Sequence, residues 1–329
     1  MLKAQSQEVD AIFPMLWTYV ERGHPDSALM LEALCVGCLG TSRFGGAKKC
    51  LDRWLPLEPE NVQAHFFNGL YLKEASLGQE AITSLRRALE LDPSRVDIRC
   101  ALADTLLSVK EHSQAMQQYE EVLRQDPRSA PARLGLARAS IDSGQIDRAV
   151  PILETLVQEE SGNADALCER GRAALQSEAN EEAERWLRAA LKVDPGHYKA
   201  NFTLVSCLHR LDKEKEASQL EEKLQHFDVN NRRISQIMRN DLPKASTDPN
   251  LYYELGRLWF ENERKKEAVR WLYEALKLDS KHRQAHGLLA RYYREIGDTK
   301  GAELHQRRAT MAATEFSPTS QTKVLPRKP

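Results

Sequence analysis

The sequence predicts an all-α fold, a solenoid of stacked two-helix hairpins, and three observations carry that expectation. Prolines recur at intervals of 34 residues at Pro59, Pro93 and Pro127, and the ladder resumes at Pro195 with Ser161 on the intermediate rung. Windows of 34 residues laid on it give six units, 28–61, 62–95, 96–129, 130–163, 164–197 and 198–231, and beyond a 17-residue insert two more, 249–282 and 283–316. The twentieth residue is alanine in every unit (Ala47, Ala81, Ala115, Ala149, Ala183, Ala217, Ala268, Ala302), and the eighth is nearly always small (Cys35, Gly69, Ala103, Ala137, Gly171, Val205, Gly256, Ala290). Small residues at fixed places in a repeating unit are what two helices need where their backbones cross closely.

Residues 1–27 precede the first unit. There Val9, Ile12, Phe13, Leu16, Trp17 and Val20 make a helical stripe interrupted by Pro14, suited to capping the exposed end of a stack. Through units one to six, residues 28–231, apolar residues keep helical spacing on both sides of a polar turn, as in Leu102, Leu106, Tyr119, Val122 and Leu123 around Lys110-Glu111-His112. Gly45-Gly46 reads as the corresponding turn of the first hairpin. Proline closes the second helix because it has no amide hydrogen and drives the residue before it out of helical geometry.

The sixth unit departs from this pattern. Glu221 and Val229 replace its large apolar residue and its proline, while Leu220, Leu224, Phe227, Asn231, Ile234 and Met238 carry the helical spacing onward. One helix from about Glu214 to Leu242 is expected, roughly 43 Å long at about 1.5 Å per residue, with the insert 232–248 as its continuation. Two further units fill 249–316. Ser317 to Pro329, with three prolines and three basic residues, reads as a disordered tail.

Unit seven supplies Tyr252, Leu255, Gly256, Trp259, Ala268 and Leu272, with Ser280 in place of proline; the unit at 164–197 supplies Leu167, Gly171, Ala183, Leu187 and Pro195. These residues resemble the tetratricopeptide repeat family, whose pattern is Trp, Leu, Gly, Tyr, Ala, Phe and Pro at unit positions 4, 7, 8, 11, 20, 24 and 32. The resemblance spans 272 of the 329 residues. It implies a right-handed superhelical solenoid that binds peptides or proteins on a concave face lined by positions 2, 5, 9 and 12 of each unit's first helix.

Cap, insert and tail are each too small for a catalytic domain, and the chain has no phosphate-binding loop, dinucleotide-binding glycine pattern, nucleophile elbow or metalloprotease signature. No enzyme activity and no cofactor are expected. Cys35 and Cys38 form a lone Cys-x-x-Cys at packing positions, with no second pair to complete a zinc site. His282, His286 and His305 lack the carboxylate that accompanies a metal-binding helix and read as solvated. With 47 basic against 48 acidic residues no global field draws the molecule to nucleic acid or an anionic membrane. No apolar run approaches the roughly 18 residues of a membrane span, Met1 to Asp10 has no signal pattern, and the six cysteines are too sparse for a disulfide framework. Free thiols in a cytoplasmic protein are expected.

Position 5 reads Glu32, Phe66, Cys100, Leu134, Cys168, Phe202, Tyr253 and Gly287; position 9 reads Val36, Leu70, Asp104, Arg138, Arg172, Ser206, Arg257 and Arg291. An apolar row beside guanidinium groups suits a peptide or protein partner carrying hydrophobic and acidic anchors. The candidate partner-binding residues are therefore Phe66, Arg138, Arg172, Phe202, Tyr253, Arg257 and Arg291. Intrahelical pairing offers the arginines another role, since Asp142, Glu261 and Glu295 stand four residues after Arg138, Arg257 and Arg291, and Glu169 three before Arg172. The Lys, Asn and Arg set with which some family members grip chaperone tails occurs in no three successive units, so that mode is not expected. Two further readings are a recognition subunit for a separately encoded enzyme and a helical-repeat RNA binder. The near-zero net charge and the lack of repeated aromatics at position 2 weigh against the second.

Overall fold

The computed structural model describes residues 2–40, 43–242, 245 and 247–310; the expected tail and the last residues of the eighth unit lie outside them. These residues form seventeen α-helices and no strand. Contacts divide the chain into two compact units, 1–177 and 178–329.

In the first unit α1 (Leu2–Glu21) precedes four hairpins: α2 (Ser27–Gly40) with α3 (Phe44–Leu57), α4 (Val62–Glu74) with α5 (Gly78–Leu91), α6 (Val96–Ser108) with α7 (His112–Gln125), and α8 (Ala130–Asp142) with α9 (Ile146–Glu159). α10 (Ala164–Gln176) completes it. Each helix packs on the next, and the first helices of successive hairpins also touch, α2 with α4, α4 with α6, α6 with α8 and α8 with α10. α1 runs through Pro14 without the expected interruption, because one proline removes only one bond of the helical ladder, and the Pro14 carbonyl still accepts from the Thr18 hydroxyl at 2.8 Å.

In the second unit α11 (Asn180–Val193) and α12 (Tyr198–Arg210) lead into α13 (Glu214–Gln236), which continues as a π-helical stretch, Ile237–Asp241. α14 (Pro249–Glu261), α15 (Lys265–Leu278), α16 (Arg283–Glu295) and α17 (Thr299–Thr310) follow as two hairpins. Among the described residues no helix is long and apolar enough to cross a membrane.

The repeating small residues are where the hairpins close. Seven of the eight alanines are fully buried and Ala302 nearly so. A Cβ added to Gly69 would lie 2.5 Å from Leu85 Cγ, and one added to Gly256 would lie 2.7 Å from Leu272 Cγ, so the eighth residue makes room for the twenty-fourth. Gly45 and Gly46 are not a turn, and only Gly46 serves the same end, an added Cβ on Gly45 meeting nothing within 4 Å. Both lie in the first turn of α3, where a Cβ on Gly46 would come within 2.7 Å of Cys38 Sγ.

The turns share one device. The fifteenth residue of seven repeats, Ser76, Lys110, Gly144, Glu178, Asp212, Glu263 and Gly297, has φ between 56° and 81°. In six of these turns, all but that at Glu178, the left-handed residue ends the first helix and the next amide turns back to it, as in Leu77 N–H to Leu72 O and Glu111 N–H to Leu106 O, both 2.9 Å.

α13 buries Ala217, Leu224, Phe227 and Ile234 along one seam. Leu224 and Phe227 pack with Val205 of α12; Ile234 and Ile237 pack with Leu255 and Leu258 of α14. Met238, expected on that seam, is 36% exposed, and Ile237 takes the buried place. The seam is fastened by Arg233, which donates to both Glu254 oxygens at 2.8 and 2.9 Å and to Asp241 at 3.0 Å, and by Asn262, which donates to Asn231 at 2.9 Å.

Candidate functional site

The seven candidate side chains fall into both units, and their surroundings differ. In the first unit Phe66 is half-buried against the α4–α8 core, with Arg95 5.9 Å from its ring centroid. Leu29 and Val36 on α2 are exposed, and Leu70 on α4 is half-buried beside Phe66. Leu29 stands at position 2, a row not read out from the sequence.

Arg138 and Arg172 belong to one charge network. Arg138 donates to Asp165 and, from Nε at 2.8 Å, to Glu169; Arg172 donates to the other oxygen of Glu169 and to Asp142 at 2.6 Å. Glu169 is fully buried. Burial works against charge on both guanidiniums, but Glu169 together with Asp165 on Arg138 and Asp142 on Arg172 outweighs it and holds both pKa values above the ordinary arginine value. The sequence paired Arg138 with Asp142. The structure exchanges partners between repeats, because the first helices of adjacent hairpins lie side by side and bring Asp165 and Glu169 within reach of Arg138.

In the second unit Phe202 is 58% exposed, and it stacks on Tyr198 at 6.5 Å between centroids and 12° between planes. Tyr198 is itself 39% exposed and opens α12 at position 1, outside the rows searched in the sequence. Tyr253 is half-buried in the C-terminal core, its ring 5.0 Å from that of His282. Arg257 donates to Glu261 at 2.6 Å and Arg291 to Glu295 at 3.1 Å, the intrahelical pairs that the spacing offered.

Arg291 also borders a cleft of about 560 Å³ between α13, the end of α14 and α16. Its floor is Phe227 and Phe260, and cations stand over both rings: Lys223 5.3 Å from the Phe227 centroid, Arg291 5.0 Å and Lys265 5.9 Å from that of Phe260. Glu222, Glu261 and Glu263 line the same cleft, so its charge is mixed.

Cys35 and Cys38 are buried together with Cys50 in the first hairpin, and burial pushes the Cys35 thiol up to about 12. His282, His286 and His305, expected in solvent, are buried. Helical spacing alone could not reveal this, because their shelter comes from the facing helices: His286 and His305 meet each other, and His282 covers Tyr253.

Three tetratricopeptide repeat models match the chain, one over residues 106–170 and 140–193, one over 68–130 and 169–228, and one over 249–282. No curated protein matches its sequence. Among solved structures, PilW, a widely conserved type IV pilus biogenesis factor, is 17% identical with a TM-score of 0.53, over 60% of this chain and 92% of PilW. Human IFIT1, solved as a dimer with m7Gppp-AAAA, is 14% identical with a TM-score of 0.50, over 92% of this chain and 75% of IFIT1. At such identities these likenesses speak for the fold alone. The repeat models together span more than half of the residues, the one over 249–282 coinciding with the seventh unit, and the chain belongs to the tetratricopeptide repeat family.

Proposed function

We propose that this chain is a non-enzymatic scaffold that holds a peptide or protein partner through aromatic and apolar side chains on the first helices of its repeats. Membership of a family made up generally of interaction scaffolds supports the broader statement. One observation carries the finer one: Phe202 and Tyr198 stand stacked on α12, 58% and 39% exposed. Two adjacent aromatic rings left partly in solvent forgo some of the burial that rewards such side chains and offer a rigid anchor to a partner. Tyr253, Arg257 and Arg291 in the same unit complete the proposed binding set, with Phe66, Arg138 and Arg172 in the other. The partner is expected to present large apolar side chains next to carboxylates. A cytoplasmic setting, in which the six cysteines stay reduced, is part of the same proposal.

Selection of random displayed peptides on the full chain tests it. Enriched sequences should pair an aromatic or large aliphatic residue with Asp or Glu, and replacing Phe202, Tyr253 and Arg257 together by alanine should weaken them at least about 100-fold, anchors of this kind commonly carrying about 2 kcal/mol each. Peptides that bind the triple variant as tightly, while it melts within a few degrees of the parent, would place binding elsewhere on the molecule.

A further inference from the structure

α17 closes the last hairpin against α16, and a buried pair of imidazoles lies between them. His286 and His305 are 1% and 4% exposed and meet Nδ1 to Nδ1 at 2.8 Å. His286 Nε2 lies 3.1 Å from the Ser280 carbonyl, which only accepts, so the His286 proton sits on Nε2 and its Nδ1 presents a lone pair. His305 therefore donates from Nδ1. Its Nε2 lone pair faces the Tyr273 hydroxyl at 3.4 Å, and that hydroxyl is 2.7 Å from the hydroxyl of Tyr293. With both rings neutral every contact along this chain holds one proton; a proton on His305 Nε2 would reverse both hydroxyl contacts, Tyr273 then accepting from the ring and donating to Tyr293.

A proton added to His286 Nδ1 sets N–H against N–H. One added to His305 Nε2 creates a cation in a buried site whose other charges mostly oppose it. Arg308 on α17 disfavours positive charge on both rings, His282 at the start of α16 disfavours it on His286, and His286 disfavours it on His305. Asp279, at the end of α15, favours charge on His286, and Asp298, in the turn between α16 and α17, bears on Tyr273. Burial is the largest influence on both histidines and lowers both; His305 falls to about 4.

We propose that this neutral imidazole pair is an acid-labile latch, which holds α17 on α16 at neutral pH and releases it as the pH falls toward 5. The sign follows from linkage. A histidine whose pKa is lower in the seated state than the roughly 6.5 of an exposed imidazole contributes its full stabilisation above that value and loses it progressively down to the seated value. With about 4 for the seated ring, His305 alone makes the opened form about 30-fold more populated at pH 5.0 than at pH 7.5, and His286 adds in the same direction. Opening lifts Gly301 from the ring of Tyr293, against which it is seated so closely that an added Cβ would stand 2.9 Å away.

Amide exchange on the full chain at the two pH values, corrected for intrinsic exchange rates, reads the latch directly. Residues 300–310 should lose protection by at least about tenfold at pH 5.0 while 251–261 in α14 keep theirs. In the double variant His286→Asn, His305→Asn the ratio between the two pH values should fall below about threefold. Imidazole ¹⁵N titration of the parent protein keeps the proposal falsifiable if that variant fails to fold: both rings should take up their protons together with the loss of protection in α17. Equal protection of α17 at the two pH values, an unchanged pH response in a folded double variant, or protonation of either ring with α17 still protected would each overturn it.

Discussion

Glu169→Ala tests whether the Arg138–Glu169–Arg172 network holds neighbouring repeats together. Glu169 is fully buried and takes a guanidinium on each carboxylate oxygen, one from each of two hairpins. Breaking a buried pair costs about 3–5 kcal/mol when the partner is left as an uncompensated charge. Here Asp165 still holds Arg138 and Asp142 still holds Arg172, and the arginine side chains are 30% and 22% exposed, so water screens part of what is lost. The expected cost is therefore smaller, about 2–3 kcal/mol, which for a unit of this size lowers the melting midpoint by about 4–12 °C. Glu169→Gln keeps the volume and one acceptor and should cost about 1–2 kcal/mol. Urea titration followed by helical circular dichroism measures both, with Asp142→Asn, at a more exposed pair, as the reference expected within about 1 kcal/mol of the parent. A loss below about 0.5 kcal/mol for Glu169→Ala would refute the reasoning: the network would then contribute no cohesion.

Three further substitutions probe the repeat itself. Lys110→Gly should stabilise by about 0.5–1 kcal/mol, because relief of a left-handed non-glycine residue exceeds the added chain entropy, and Gly144→Ala should destabilise by about 1 kcal/mol; opposite signs in either melt would count against the shared turn. Ala183→Leu should cost about 1–3 kcal/mol by overpacking a fully buried crossing, and an unchanged midpoint would dismiss that packing role. Met238→Pro should cost about 3 kcal/mol by breaking the continuation of α13, whereas fast amide exchange across 235–242 in the parent protein would argue against an ordered segment there.

The hairpins were legible because close packing punishes any change in volume. Ala183 and Gly256 stand where a methyl group more would collide with the facing helix, so their recurrence could be read without coordinates. Other features were hidden for identifiable reasons. The exchange of Asp142 and Asp165 between Arg138 and Arg172 depends on two first helices lying side by side, which spacing along one helix cannot report. The shelter of His286 comes from a residue nineteen positions away, and a histidine carries no mark of burial in its own sequence context. The left-handed turns escaped because five of the seven use Ser, Lys, Glu or Asp where glycine would have announced them. Tyr198 sat one place outside the rows that the family pattern directs to the groove.

The π-helical stretch carries a consequence for chain length. Leu242 donates its amide to the Ile237 carbonyl five residues back, at 2.9 Å, so this turn houses one residue more than an α-helical turn does. That extra residue works as a phase corrector. Each residue of an α-helix advances the side-chain direction by about 100°, so one residue more in an unbroken α-helix would swing everything beyond it by that angle; the wide turn absorbs the extra residue instead. Leu242 thereby keeps its place in the two clusters it joins: one formed with Ile234, Ile237, Leu255 and Leu258, the other around Tyr252 and Leu272. Deleting one residue within 237–241 should therefore close the wide turn into α-helix with the next hairpin still in phase, so a single codon can be lost here at less cost than within the α-helical part of α13.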